Sequence, residues 1–403
     1  MAAGLLCASI GAMEAGAGRT RVLIAGGGVA ALEATLALRA LAPELVDIEL
    51  LAPEPDFTYR PLAVAEPFLV GEVRRFPLRA LVAAAGATLR PGTVTGIDPG
   101  RRVVQTAEGE EVAYDALLLA LGAMPVEAVP GALSFRGPED GPALAALLEQ
   151  ALAGEIRRIV FALPAGVTWP LPLYELALLT GTYLSDRGAM GVEVSLVTPE
   201  ETPLGIFGVA ASDATRELLD GRGIGLRSHA TPLAFENGVL RLAPEGQIEA
   251  DRVVASPRLA GPALAGIPSD ANGFVPTDDH GRVGSEVDVY AAGDLTQFPL
   301  KQGGIATQQA DAAAAAIAAQ AGAAVEPEPF RPVLRGLLLT GMVPRYLRAE
   351  AGTARSTVDT EPLWWPPAKI VGRYLAPFLA AHLGISDEPP PFARESVPVE
   401  IEF

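Results

Sequence analysis

Residues 21–34 constrain the fold of this chain more than any other stretch. An apolar run at 22–25 ends in three glycines and continues directly into an Ala- and Leu-rich helical pattern, which predicts a strand, a tight turn and a helix. Gly26 allows the turn, Gly28 lets the backbone approach a diphosphate, and Ala31 is the small residue needed where helix packs on strand. The free N–H groups at the helix start favour an anion. The stretch therefore predicts a dinucleotide-binding unit.

Length and charge narrow the class of protein. The chain has 403 residues, enough for two or three domains, and a net charge of −18 that disfavours nucleic acid as a partner. No stretch is apolar over the roughly 18–20 residues that would cross a bilayer, so we expect a cytoplasmic protein with at most peripheral membrane contact. Cys7 is the only cysteine, which excludes a disulfide, a cysteine zinc cluster or a redox pair within one chain. The histidines are scattered, and we expect no metal.

Two polar residues follow the second predicted strand, at 47–51. An acid at the end of that strand commonly holds the adenosine ribose, and Glu54 is the nearest candidate because Ala52 occupies the usual place. A turn glutamate exposed to solvent is the alternative interpretation. Arg60 lies in an extended, proline-bearing connector and would pair either with a phosphate or with a surface acid.

Two further strand ends carry candidate site residues. The apolar strand from Tyr114 ends in a glycine turn at Gly122, as expected for the central parallel sheet of a doubly wound domain. A later strand runs into Gly293-Asp294 and is followed by Lys301 and a long alanine-rich helix. Asp294 could hydrogen-bond a ribityl chain or ribose, or it could be a simple turn or N-cap residue.

A second Rossmann-like unit is predicted between these segments, with a strand at 158–163, a helix at about 174–186 and a β-meander over 226–254. Its first loop, 164–170, contains one glycine and begins and ends with proline. Proline has no N–H, so this loop is a poor phosphate cradle.

The last eighty residues are Pro-rich and include Trp364-Trp365. Such a segment would contact a membrane surface or a second copy of the chain, or it would pack over the core.

The predicted fold class is α/β, with two Rossmann-like, mostly parallel-sheet domains, the second inserted in the first, and a C-terminal extension. We assign residues 1–20 to a disordered segment, 21–140 and 258–325 to one dinucleotide-binding domain, and 141–257 to the inserted domain with its degenerate glycine loop. Residues 326–403 form the extension.

The glycine fingerprint, the strand end at Gly122 and Gly293-Asp294, in this order and spacing, resemble the two-dinucleotide-binding-domain flavoprotein superfamily. The resemblance implies that FAD is the cofactor, with the diphosphate at Gly26 and Gly28, the ribityl chain at Asp294, and the flavin pyrimidine facing Ile305-Ala306. The loop at 164–170 and Lys301-x-Gly-Gly-x-Ala are similar to the sulfide:quinone oxidoreductase and flavocytochrome c sulfide dehydrogenase group. Type II NADH dehydrogenases are neighbouring relatives.

The members of the sulfide-oxidising group use two redox cysteines, which this chain lacks, so the expected activity is two-electron transfer through FAD to a quinone or another small acceptor. We predict two catalytic residues: Glu175 as a proton carrier and Lys301 as the charge that stabilises the reduced flavin edge. The helix N-terminus at Ile305 is the alternative to Lys301, and a surface or helix-turn glutamate is the alternative for Glu175. The alternative functions are an NAD(P)H dehydrogenase of the type II kind and a flavin-bearing electron-transfer or scaffold protein with no substrate site.

Overall fold

The computed structural model describes residues 18–286, 288–350 and 356–385. Its α-helices, in chain order, are α1 Val29–Leu41, α2 Leu78–Ala84, α3 Gly141–Leu152, α4 Leu171–Asp186, α5 Val209–Asp220, α6 Gly303–Gln320 and α7 Leu375–His382. The strands before α3 are β1 Thr20–Ala25, β2 Val46–Ala52, β3 Asp56–Tyr59, β4 Arg74–Pro77, β5 Thr88–Pro91, β6 Val94–Asp98, β7 Val103–Thr106, β8 Glu111–Ala113, β9 Ala116–Leu119, β10 Met124–Val126 and β11 Leu133–Ser134.

The strands between α3 and α6 are β12 Arg158–Ala162, β13 Glu193–Val197, β14 Gly225–Arg227, β15 Thr231–Glu236, β16 Val239–Ala243, β17 Gln247–Glu249, β18 Arg252–Ala255, β19 Arg258–Ala260 and β20 Val289–Ala291. Those after α6 are β21 Val333–Leu338, β22 Arg345–Glu350 and β23 Ser356–Asp359.

A parallel sheet in the order β20-β9-β1-β2-β5 forms the first unit. Its strands β9 and β20 are apolar and buried throughout, as a sheet covered on both sides requires, and α1 and α6 pack side by side against it. In the register of this sheet Ala25 lies beside both Leu51 and Leu119. The carboxyl ends of three strands therefore meet where the glycine turn begins.

A second parallel sheet, in the order β11-β18-β12-β13-β14, is formed by the segment between β9 and β20. The α/β class with mostly parallel sheets is thus confirmed. The prediction of a β-meander over 226–254 is right for its middle and wrong for its two ends. Within this stretch, the antiparallel pairs are those of β15 with β16 and β16 with β17. The flanking β14 and β18 join the parallel sheet; Val253 and its neighbours form a short buried run, which is typical of a strand covered on both faces.

The C-terminal segment folds as an antiparallel three-stranded sheet, β21-β22-β23, followed by α7. Trp364 is only 5% exposed, its ring centroid lies 5.1 Å from that of Tyr346, and its Nε1 donates to the Ala368 carbonyl. Of the interpretations of this segment, packing over the core is therefore the right one for Trp364.

Residues 1–17, including Cys7, and residues 386–403 lie outside the described part of the chain. Within the described part, no helix is both long and apolar enough to cross a bilayer.

Candidate functional site

The glycine turn after β1 combines one crowded glycine with one open one. A Cβ on Gly26, whose φ is +129°, would lie 2.3 Å from the Ala120 carbonyl oxygen, so only glycine fits there. Gly28 is the N-cap of α1 and makes no side-chain cap, and a Cβ built on it meets nothing within 4 Å. Ala31 is completely buried under this turn. The turn thus leaves open space directly in front of the free N–H groups of α1.

Asp294 lies beside this turn, although it is more than 250 residues away in the sequence. Gly293, with φ +82°, fits between the start of α1 and that of α6: its Cβ would be 3.2 Å from Ala30 Cβ and 3.5 Å from Ala306 Cβ. The Asp294 side chain is partly buried and accepts no hydrogen bond from any described residue. Partial burial raises its pKa, and the charge of Lys301 opposes that rise. A partly buried acceptor without a donor fits the hydroxyl groups of a bound ligand.

Replacing Asp294 with asparagine is expected to weaken FAD binding without lowering the stability of the apoprotein. The raised pKa means that the folded apoprotein binds a proton more tightly than the unfolded chain, so its stability falls as pH rises above the ordinary aspartate range. The Asp294→Asn substitution removes this dependence and makes the apoprotein at least as stable at neutral pH, whereas FAD affinity falls about tenfold or more with the loss of a charged acceptor. Urea unfolding across pH and FAD titration measure the two effects, and an unchanged FAD affinity would contradict the assignment.

The start of α6 is capped by its own chain. Gln302 Oε1 accepts the Ile305 N–H at 2.8 Å, and the Gln302 carbonyl accepts the Ala306 N–H at 2.9 Å. The amides that donate to no described residue at this helix start are those of Gly303 and Gly304. Ile305 and Ala306 remain our prediction for the contact with the flavin pyrimidine. The two glycines, whose N–H groups are free to donate at this helix start, were not selected from the sequence.

Lys301 is held on the side of this helix start that faces Asp294. Its Nζ donates to the Thr296 carbonyl and lies 3.8 Å from the centroid of the Phe274 ring. Burial lowers its pKa to about 8, while the charges of Asp294 and Asp270 oppose that shift. Its role at the reduced flavin edge stays a prediction; Asp294 is the acid whose charge acts on it most strongly.

Glu175 is fully buried in α4 and faces Lys369, a residue that sequence reasoning did not select. Lys369 Nζ lies 2.6 Å from both carboxyl oxygens of Glu175, and the Leu339 N–H donates to Oε1 at 2.8 Å. Burial raises the pKa of Glu175, and the charge and hydrogen bond of Lys369 oppose that rise. The interpretation of Glu175 as a surface glutamate is therefore wrong.

The Glu175–Lys369 pair lies close to the start of α6. Ile370, next to Lys369, would contact a Cβ on Gly303 at 2.9 Å, and its N–H donates to the Tyr59 hydroxyl at 3.0 Å. The Gln302 amide that caps α6 donates to the Arg335 carbonyl, in the same strand that leads to Leu339. A buried acid and amine that share hydrogen bonds can hold or pass a proton. The pair therefore contains the two groups that a proton donor requires, and it lies next to the predicted FAD site.

Three predicted cofactor contacts remain: Glu54, Arg60 and Gly122. Glu54 and Arg60 are both exposed, and the side chain of neither one hydrogen-bonds a described residue. Gly122 has φ +70° and open space around its missing Cβ, at the end of the strand beside β1. All three stay predictions as cofactor contacts.

The fold and this site define a class of protein, the flavoprotein with two dinucleotide-binding domains. The chain belongs to the pyridine nucleotide-disulphide oxidoreductase family, whose model matches residues 20–160 and 176–319. It is accordingly an FAD-dependent oxidoreductase, as the resemblance in the sequence implied.

Individual relatives agree with this assignment. The sulfide-quinone reductase of Aquifex aeolicus (strain VF5) is 30% identical over 209 residues, 49% of this chain and 47% of that protein, so the match spans about half of that relative's length. The rubredoxin-NAD(+) reductase of Pseudomonas putida is 27% identical over 69% of this chain and 74% of its own. The structure of the sulfide:quinone oxidoreductase from the hyperthermophilic bacterium Aquifex aeolicus superposes with a TM-score of 0.77 at 21% identity, over 84% of this chain and 86% of that one.

The residues present fit FAD. The open cradle at Gly28 suits a diphosphate at a helix N-terminus, and the Asp294 carboxyl, which accepts no hydrogen bond from the described residues, suits a polyol chain. When bound, FAD supplies the redox chemistry, and the protein supplies position and electrostatics.

Proposed function

We propose that the protein transfers two electrons from its FAD to a quinone or another small acceptor, and that the Glu175–Lys369 pair handles the proton. Reduction of a quinone to a quinol consumes two electrons and two protons, so the site needs a proton source within reach of the acceptor. Lys369 is 7% exposed at its side chain and Glu175 is 0% exposed. This buried pair beside the start of α6 is the observation that carries the proposal.

The inserted domain gives little support to the NAD(P)H alternative. The loop at 164–170 leads into α4 through Pro170 and Pro172, which supply no N–H groups. The acid after β13, Glu200, is at the place where a nucleotide domain commonly holds the adenosine ribose. Its Oε2 accepts from the Tyr174 hydroxyl at 2.6 Å and from the Thr198 hydroxyl at 2.9 Å, whereas its Oε1 has no partner among the described residues. Only the phosphate position therefore lacks what a dinucleotide requires.

Thiol chemistry is also unsupported, because the chain has one cysteine. Sulfide oxidation through a pair of cysteines, or disulfide reduction, would require two.

Anaerobic stopped-flow spectroscopy tests the proposal on the FAD-loaded protein. After reduction with dithionite, the flavin absorbance is expected to recover rapidly on mixing with a soluble quinone analogue, and the oxidised protein is expected to stay yellow with NADH, NADPH or sulfide. Failure of every quinone to reoxidise the flavin would reject a quinone as the acceptor, and failure of other small acceptors as well would reject the proposal. Rapid bleaching by NADH would favour the dehydrogenase alternative, and no response to any donor or acceptor would favour the electron-transfer or scaffold alternative.

Peripheral contact with a membrane belongs to the same proposal, because quinones dissolve in bilayers. Several large apolar side chains are exposed in loops, among them Leu69 at 85% and Met342 at 75%. Flotation with liposomes compares the wild type with the variant Leu69→Ser/Met342→Ser, which keeps Lys369 in place. Equal flotation of both would rule out these side chains as the membrane contact. A second copy of the chain covering this surface is the other interpretation, and sedimentation velocity distinguishes it.

A further inference from the structure

Helix α1 carries a buried acid that the cofactor site does not use. Glu33 is 0% exposed, and its two oxygens accept the N–H groups of Tyr374, at 2.8 Å, and Leu375, at 2.7 Å. These are the N-cap and first residue of α7. A Cβ on Gly372 would lie 2.4 Å from Glu33 Oε2, so only glycine lets the chain approach this closely. One carboxylate of α1 thus anchors the start of α7.

A second acid faces the first from α6. The Asp311 carboxyl adjoins that of Glu33, and its buried Oδ1 has no partner among the described residues. Two adjoining carboxyls that are largely shielded from water do not both ionise, so they share a proton. Burial and the charge of Glu33 raise the pKa of Asp311 to about 9, against the opposing charge of Arg373. Tyr374 is the other titratable group facing the pair.

The segment between the ion pair and α7, residues 369–375, forms a C-terminal strap across the start of α6. Besides Lys369 and the Glu33 contacts, it is fixed by the Ile370 N–H on Tyr59 and by the Val371 carbonyl, which accepts from Thr307 Oγ1 at 3.0 Å. The acid pair therefore holds the far end of the short segment that brings Lys369 to Glu175.

We propose that Glu33 and Asp311 form a proton-sharing latch that docks the C-terminal strap and thereby positions Lys369, with docking that weakens as the shared proton is lost. Glu33 and Asp311 are positioning residues in this proposal, since they act through the strap. The proposal of a role for Lys369 rests on the proposed function; the docking itself does not.

The direction of the pH effect follows from linkage. With Asp311 protonated in the docked strap and ionised once the strap is released into water, the docked state binds one more proton. Docking therefore weakens as pH rises from the ordinary aspartate range towards about 9, the pKa of Asp311 in the docked state, by up to about tenfold per pH unit.

Hydrogen exchange measures docking directly, as the protection factors of the Tyr374 and Leu375 amides in the FAD-loaded protein. In the wild type, protection is expected to fall between neutral pH and pH about 9. In D311N the amide still donates to Glu33 but does not titrate, so protection is expected to stay high and independent of pH. In E33Q one N–H loses its acceptor, and protection is expected to fall about tenfold or more at neutral pH. Glu44→Gln, at an exposed position of the same domain, is the matched control and leaves protection unchanged.

Acetylation measures the position of Lys369, because Lys301 is the only other lysine and serves as an internal standard. The ratio of Lys369 to Lys301 labelling is expected to rise about tenfold in E33Q, parallel to the loss of protection, and to stay at the wild-type value in D311N.

Unchanged protection in E33Q, or a pH dependence that persists in D311N, would overturn the latch. Loss of protection without faster labelling of Lys369 would overturn its positioning role. If E33Q does not fold, the wild type and D311N still decide the pH dependence. Neither readout involves a quinone, so failure of the proposed function is recorded separately.

Discussion

Replacing Lys369 with methionine is expected to destabilise the protein by about 3–5 kcal/mol, because it leaves the fully buried Glu175 carboxylate without its countercharge. The Leu339 N–H alone remains as a donor to that carboxylate. The pKa of Glu175 is then expected to rise further, so the variant loses stability as pH increases. Urea unfolding followed by circular dichroism, at several pH values, measures both effects.

A matched control tells whether the stability lost in K369M comes from the buried charge or from the loss of any ion pair. Arg101 and Glu111 form a surface ion pair with side chains 59% and 44% exposed, and R101M is expected to cost less than about 1 kcal/mol. The double variant K369M/E175Q removes both charges and keeps an oxygen for Leu339, so it should recover most of the stability lost in K369M. A loss in K369M no larger than in R101M would show that the pair is not a buried ionic contact.

Alanine at Gly26 and at Gly28 should have opposite consequences. At Gly26 the new Cβ meets the Ala120 backbone at 2.3 Å, with φ at +129°, and neither strand can move without breaking the sheet. We expect G26A to lose about 3 kcal/mol of stability or more.

At Gly28 the backbone has φ −90° and the space is open, so the apoprotein of G28A should match or slightly exceed wild-type stability. FAD binding should nevertheless weaken at least about tenfold, or 1.4 kcal/mol, because the methyl group occupies the approach of the diphosphate. Flavin fluorescence titration measures the affinity. Wild-type affinity in G28A would place the diphosphate elsewhere.

The sequence predicted those parts of the structure whose signals are local. The strand, glycine turn and helix at 21–34 lie within one short window, and so does the strand end at Asp294. Each depends on glycine conformations or apolar runs that are visible in neighbouring residues. The predicted family and cofactor, which follow from these windows and their order, are confirmed.

The ion pair could not be predicted in the same way, because Glu175 and Lys369 are 194 residues apart and the strap has no periodicity. One signal was available: the chain has only two lysines, and a rare residue type in an apolar segment indicates a specific partner. Tyr174 and Glu200 illustrate the same limit, since only the packing of α4 on β13 brings the hydroxyl to the acid. Trp364 was ambiguous because sequence does not tell a covered aromatic from an exposed one.

The strand order of the first sheet has a consequence for synthesis on the ribosome. Strand β9 is completed on its outer edge by β20, and α1 is covered by α6, both of which are made only after the whole inserted domain. Until then the nascent first segment exposes an unpaired strand edge and one apolar helix face, which are sites of misassembly. The inserted domain, whose strands β11 to β18 are contiguous in the chain, can fold meanwhile. The predicted FAD contacts at Asp294, Ile305 and Ala306 then imply that the cofactor binds late, after residue 306 has left the exit tunnel.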